Sequence, residues 1–154
     1  MIWLAVSAIG FVAGLRSFTA PAAVAWGARL GWLPLTGTRL AFLGTTAGLI
    51  ICTLLALVEY VIDQLPKTPA RTTPGPLGAR AVTGGLSGAA IALAAGQSLA
   101  AGIVLGAIGA VIGAFAGYQA RTRTVKALRA PDFVVAVAED IVAIAMGLLV
   151  ASRI

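Results

Sequence analysis

Six charged side chains stand inside or at the edge of otherwise apolar runs: Arg16, Glu59, Asp63, Arg80, Glu139 and Asp140. A charge within a membrane segment costs about 2.5–3.5 kcal/mol on insertion scales, so each needs a reason to be there. Glu59 and Asp63 are four residues apart and share one helix face. Glu139 and Asp140 are adjacent, so they point roughly 100° apart and cannot both face lipid. Arg16 and Arg80 are the natural counter-charges. Two chemistries fit this set. The carboxylates could line a polar path that binds a cation or exchanges protons, or Arg–carboxylate pairs could simply pin helices together. Carboxylates without His or Cys partners suit hard cations or protons rather than soft metals. The chain has no His, so the commonest metal ligand and general base are missing. With no Ser-His-Asp set and no phosphate-cradling glycine loop, neither enzyme, cofactor nor resident metal is expected.

Two further groups bear on ligands. Lys67 and Arg71 lie in the Pro-rich stretch 65–76, where they could meet an anion or a lipid headgroup phosphate, or merely anchor a stiff connection. The segment Gly14-Leu15-Arg16-Ser17-Phe18-Thr19-Ala20-Pro21-Ala22 reads as a helix break. Non-helical backbone at membrane depth is tolerated only where it is buried or lines a cavity, which makes this a preferred site element.

The elements that must position these groups follow from composition. Of 154 residues 60% are hydrophobic and 10% charged, with mean hydropathy +1.01. An ordinary soluble domain carries about 25% charged residues. A soluble enzyme, a disordered chain and a disulfide scaffold are excluded, and an all-α membrane protein remains. The net charge of +6 comes from basic residues at the ends of apolar runs, where they orient helices. No basic stripe with interleaved aromatics suggests nucleic acid. The lone Cys52 reads as a packing residue.

A spanning helix needs about 20 apolar residues. Residues 1–15 lack the Lys or Arg that precedes a secretory signal core, so they read as a retained first membrane helix. Residues 18–35, broken by Pro21, Arg29 and Pro34, fit a re-entrant or interfacial helix with Trp26 and Trp32 at headgroup level. Spans are expected at 40–63, 79–95, 99–118 and 132–152. The four prolines of 65–76 forbid a helix there, Gly96-Gln97-Ser98 reads as a turn, and Arg121, Arg123, Lys126 and Arg129 as a basic loop. The expectation is a single transmembrane domain of four or five crossings. Its halves are 1–64 and 78–154, joined by the 65–77 loop. Gly14-Leu15-Arg16 faintly echoes Gly78-Ala79-Arg80, so an internal repeat is possible. With five crossings, the positive-inside rule places the N-terminus and the 65–77 and 119–131 loops in the cytoplasm of a cell with this protein in its inner membrane. Gly84 and Gly88, and then Gly102, Gly106, Gly109, Gly113 and Gly117, recur every three or four residues. Such spacing drives close helix association in lipid, within the chain or with another copy.

Several of these stretches resemble the bacterial domain-of-unknown-function 4126 membrane family. They are Gly14 to Ala22, Ala28-Arg29-Leu30-Gly31-Trp32, and Glu59-Tyr60-Val61-Ile62-Asp63-Gln64-Leu65-Pro66. Lys67 to Arg71 with Pro74-Gly75-Pro76, Arg80 to Ala89, Gly113 to Arg123, and Pro131 to Ala136 with Glu139-Asp140 are similar to one branch. The resemblance covers nearly the whole chain and implies a membrane protein without an assigned activity. Gln64 departs from the expected Lys, which puts a charge pair with Asp63 in doubt. The leading functional expectation is a homo-oligomeric channel or transporter for an ion or small solute, lined by the four carboxylates with Arg16 and Arg80. The alternative is a non-transporting protein that binds membrane lipid or assists assembly of a membrane complex. It requires the carboxylates to be consumed by arginines.

Overall fold

The computed structural model describes residues 1–64, 70–128 and 131–154. Among these it has six α-helices and no strand: α1 (Ile2–Leu15), α2 (Thr19–Arg29), α3 (Thr46–Ile62), α4 (Pro74–Ala94), α5 (Leu99–Leu128) and α6 (Asp132–Ala151). A 310 turn at Ala41–Gly44 leads into α3. The α4, α5 and α6 helices are long and apolar enough to cross a membrane, whereas α1 and α3 are shorter apolar helices. Large apolar side chains point outward around the bundle, with Val82 71% and Ile141 63% exposed. A water-soluble surface does not tolerate apolar area on that scale.

The core is a tight trio of α1, α4 and α5. Gly84 and Gly88 of α4 face Gly102 and Gly106 of α5, while Gly109 and Gly113 of α5 lie against the backbone of Ser7 and Phe11 of α1. A Cβ on Gly88 would stand 2.5 Å from the Gly102 carbonyl oxygen, and one on Gly102 would stand 2.7 Å from Ala92 Cβ. Backbones this close need glycine, as the spacing implied. Both stripes are therefore occupied inside one chain, and they leave no glycine face for a second copy.

The same contacts fix direction. α1 runs parallel to α5 and antiparallel to α4, because its Gly10 meets Gly106 and its Gly14 meets Gly113 and, through its carbonyl, Arg80. α2 reverses: its Ala23 and Gly27 meet Gly147 and Ala151 of α6. α1 and α2 thus form a helical hairpin with its tip at Arg16–Phe18, about 21 Å from the start of α1 at 1.5 Å per residue. α3 rises beside α2 and ends at the level of the tip, where Tyr60 meets Thr19. Only α4, α5 and α6 continue past it.

Several expectations need correction. Met1 lies at the opposite end of the bundle from Arg71 and the 121–128 segment, because α1 is parallel to α5. Six alternating helices also bring the α6 end back to the end that holds Met1. Pro74 and Pro76 sit in the first turn of α4, where no intrahelical N–H is needed, so they start a helix rather than forbid one. Residues 121–128 are the last turns of α5, not a loop. The Arg16 and Arg80 echo joins non-equivalent places, one just after a helix and one inside a helix. The turn at Gly96 is as expected, with φ of 66°, and Cys52 is buried in the core.

Candidate functional site

Where α1 and α2 end at the hairpin tip, the backbone exposes polar groups inside the bundle. Arg16 is extended (φ −143°, ψ 118°), which stops α1. Helix termini leave several C=O and N–H groups without intrahelical partners, and an unsatisfied one away from water costs several kcal/mol. Side chains from the later helices meet that need. Arg80 Nε donates to the Gly14 carbonyl and Arg71 Nη1 to the Leu15 carbonyl, both at 3.2 Å. Ser17 N and Phe18 N donate to the two Glu59 oxygens at 2.7 and 2.8 Å. Glu59 therefore caps the N-terminal end of α2, where the helix dipole also favours a negative charge. Beside it, Thr19 and Tyr60 share a hydroxyl hydrogen bond of 2.8 Å.

Around this tip the charges alternate in sign. Arg16, fully buried, donates from Nε to Asp140 at 2.5 Å and from Nη1 to Asp63, with the Tyr60 ring 5.7 Å from its guanidinium carbon. Arg80 Nη2 lies 3.7 Å from both Glu59 and Asp63. On the other side of α6, Arg71 grips Glu139 with two parallel hydrogen bonds of 2.5 and 2.8 Å. Arg121 does the same to Asp132 at 3.0 and 2.5 Å. The adjacent pair Glu139-Asp140 is thereby explained: each carboxylate reaches an arginine on its own side of the helix. All five acidic residues of the chain are in ion pairs with these four arginines. The Arg71, Arg121, Asp132 and Glu139 group is formally neutral. The Arg16, Arg80, Glu59, Asp63 and Asp140 group carries one excess negative charge, which the N–H donors at Glu59 offset. Among the described residues, the one buried side-chain nitrogen or oxygen without a hydrogen bond is Arg16 Nη2.

The six charges singled out in the sequence thus come together. Asp63 finds its cations in Arg16 and Arg80, which answers the doubt raised by Gln64. Arg71 is buried against Leu15 and Glu139 rather than serving as a surface anchor. Lys67 and Arg129 lie outside the described residues. Sequence reasoning missed Arg121 and Asp132 as partners, and Tyr60 and Thr19. The signal for Tyr60 was present: it follows Glu59 directly, on the turn that reaches the hairpin. The seven glycines named above pack helices, although Gly117 does more. Its missing side chain makes room for Leu15, for Arg71 Nη1 (2.8 Å from a built Cβ) and for Glu139 Oε1 (3.1 Å).

Among the described residues, cavities open sideways between helices. One of 310 Å³ lies among α2, α3 and α6, walled by Trp26, Trp32, Ala56 and Leu148 and closed at its inner end by Thr19 and Tyr60. Trp26 and Trp32 are half-exposed here, and Trp26 Nε1 donates to Thr53 at 3.2 Å. The second, of 380 Å³, lies where α6 diverges from α5. Phe11, Val142 and Met146 line its apolar length, and Arg121 and Glu139 stand at its charged end. Compared with known proteins, the chain matches no family model, no curated protein and no solved structure.

Proposed function

We propose that this is a membrane-embedded, non-transporting protein that binds membrane lipid through its lateral grooves. The ion-pair network is its internal frame. The observation that carries this reading is that all five carboxylates are held by arginines, two of which, Arg71 and Arg80, also satisfy the hairpin carbonyls. A transport path needs polar groups that exchange partners with a solute; here those groups close the tip. The grooves, by contrast, open to the side, where lipid would lie. Placed in a bilayer of about 30 Å, the long helices span it and the hairpin tip stops about 10 Å short of the far surface. The positive-inside rule favours the Arg71, Arg121, Arg123 and Lys126 end as cytoplasmic, with Met1 on the other side. The resemblance to the domain-of-unknown-function 4126 family is part of the same proposal, as is residence in a bacterial inner membrane. Any self-association uses faces other than the glycine stripes.

Transport of an ion or small solute is the second reading. It is favoured by one observation, that Glu139 lines the larger cavity. Both readings meet in one experiment. Purified protein is reconstituted in liposomes and assayed for flux of protons, alkali cations, divalent cations and small anions, and its retained lipid is measured after detergent purification. The expected result is retained lipid with flux no higher than in protein-free vesicles. Flux abolished by Glu59→Gln or Glu139→Gln in folded protein would establish the transport reading instead.

A further inference from the structure

The cavity between α1, α5 and α6 differs from an ordinary lipid-facing crevice at its upper end. Arg121 uses Nε and Nη2 on Asp132, a carboxylate with a side chain 63% exposed. Its Nη1 makes no hydrogen bond among the described residues and lies 3.8 Å from Glu139 Oε2. Glu139 is already held by both hydrogen bonds from Arg71. Thr124, one turn further along α5, lines the same end. Below them the walls are Ala116, Ala120, Phe11, Val142 and Met146. From the level of Phe11, beside Gly113, to Thr124 is about 16 Å of helix rise. The volume of 380 Å³ is within the range of about 300–1,000 Å³ common for small-ligand sites. A spare guanidinium N–H over a long apolar trough matches a phosphodiester joined to an acyl chain, since a guanidinium suits phosphate oxygens. Arg123 and Lys126, exposed on the same end of α5, add positive charge at headgroup level.

We propose that this groove is a phospholipid site, with the headgroup phosphate on Arg121 and Thr124 and one acyl chain running down to Phe11 and Met146. The proposal rests on the lipid-binding reading and specifies its ligand and place.

The test uses the full chain in detergent, with bound lipid quantified by mass spectrometry. Wild-type protein is offered dioleoyl phosphatidylglycerol, dioleoylglycerol (the same chains without phosphate) or inorganic phosphate alone. Ala120→Phe fills the trough, Arg121→Gln removes the phosphate donor, and Ile50→Phe on the outer face of α3 is the control. Wild type and I50F are expected to retain phosphatidylglycerol well over dioleoylglycerol. A120F should lower retention about tenfold, equivalent to about 1.4 kcal/mol. R121Q should keep lipid but lose the preference for the phosphorylated form. Equal retention by wild type and A120F, or no discrimination against dioleoylglycerol, overturns the site. Protection by inorganic phosphate alone overturns the lipid source. Should A120F fold poorly, a phospholipid with a photoreactive acyl chain is applied to wild type. Adducts at Phe11, Val142 or Met146 support the site, and adducts confined to Ile50–Val61 overturn it while leaving lipid binding intact. No retained lipid at all fails the broader reading.

Discussion

Arg16 and Asp132 are the extremes of one network. Arg16 is sealed from solvent between Asp63 and Asp140, whereas Asp132 reaches Arg121 from an exposed position. Removing one partner of a buried pair leaves an uncompensated charge, so Arg16→Met should cost about 3–5 kcal/mol. Asp132→Asn should cost about 0–1 kcal/mol, as for exposed pairs. Denaturant titration in detergent micelles measures both, and equal effects would refute the buried assignment. Glu59→Gln retains one acceptor oxygen but must present an amide N–H to a second backbone donor. The expected cost is about 1–3 kcal/mol, with unfolding first seen as increased hydrogen exchange at Ser17 and Phe18. Much of this scale was legible in the sequence. Charges in apolar runs needed counter-charges, and Glu139-Asp140 needed partners on two sides. Arg71 was not legible, because a basic residue among prolines reads as a surface anchor. Only the fold-back of the chain after α3 brings it under the hairpin.

Among the elements, the glycines separate close approach from open space. Gly106 lies against the Gly84 carbonyl, so Gly106→Ala forces α4 and α5 apart and should destabilise by about 1–3 kcal/mol. Gly78, on the same helix as Gly84, has nothing within reach of an added Cβ, and Gly78→Ala should stabilise by about 0.5–1 kcal/mol. Thermal unfolding of the two variants side by side checks the sign of each. Periodicity announced the tight helices but not their partner. Spacing alone is compatible with a neighbour in the same chain or in another, and the match of Gly84 and Gly88 to Gly102 and Gly106 decides it. The prolines misled for a different reason: their effect depends on position, and a proline that breaks a helix in its interior is welcome in its first turn.

For the whole molecule, orientation follows from how many helices alternate. With Cys52 replaced by Ser, single cysteines at Arg123 and at Ser152 should label from opposite sides of sealed vesicles, because α5 and α6 carry them to opposite ends of the bundle. Labelling from the same side would contradict the antiparallel course of α6. Composition announced apolar helices but overstated their lengths: residues 1–15 and 40–63 read as spans, whereas α1 and α3 are only 14 and 17 residues long and α2 only 11. Their shortness has a consequence for biosynthesis. The hairpin leaves the ribosome before α3–α6, with Arg16 and the bare ends of two helices at its tip. Asp63 follows 47 residues later and Asp140 only after 124. Until α6 emerges, the first hairpin lacks half of its counter-charge and cannot settle at its final depth. On the proposed membrane placement, integration is therefore completed only once α6 has emerged, and a ribosome stalled before α6 should hold an α1–α2 hairpin that is still extractable by carbonate.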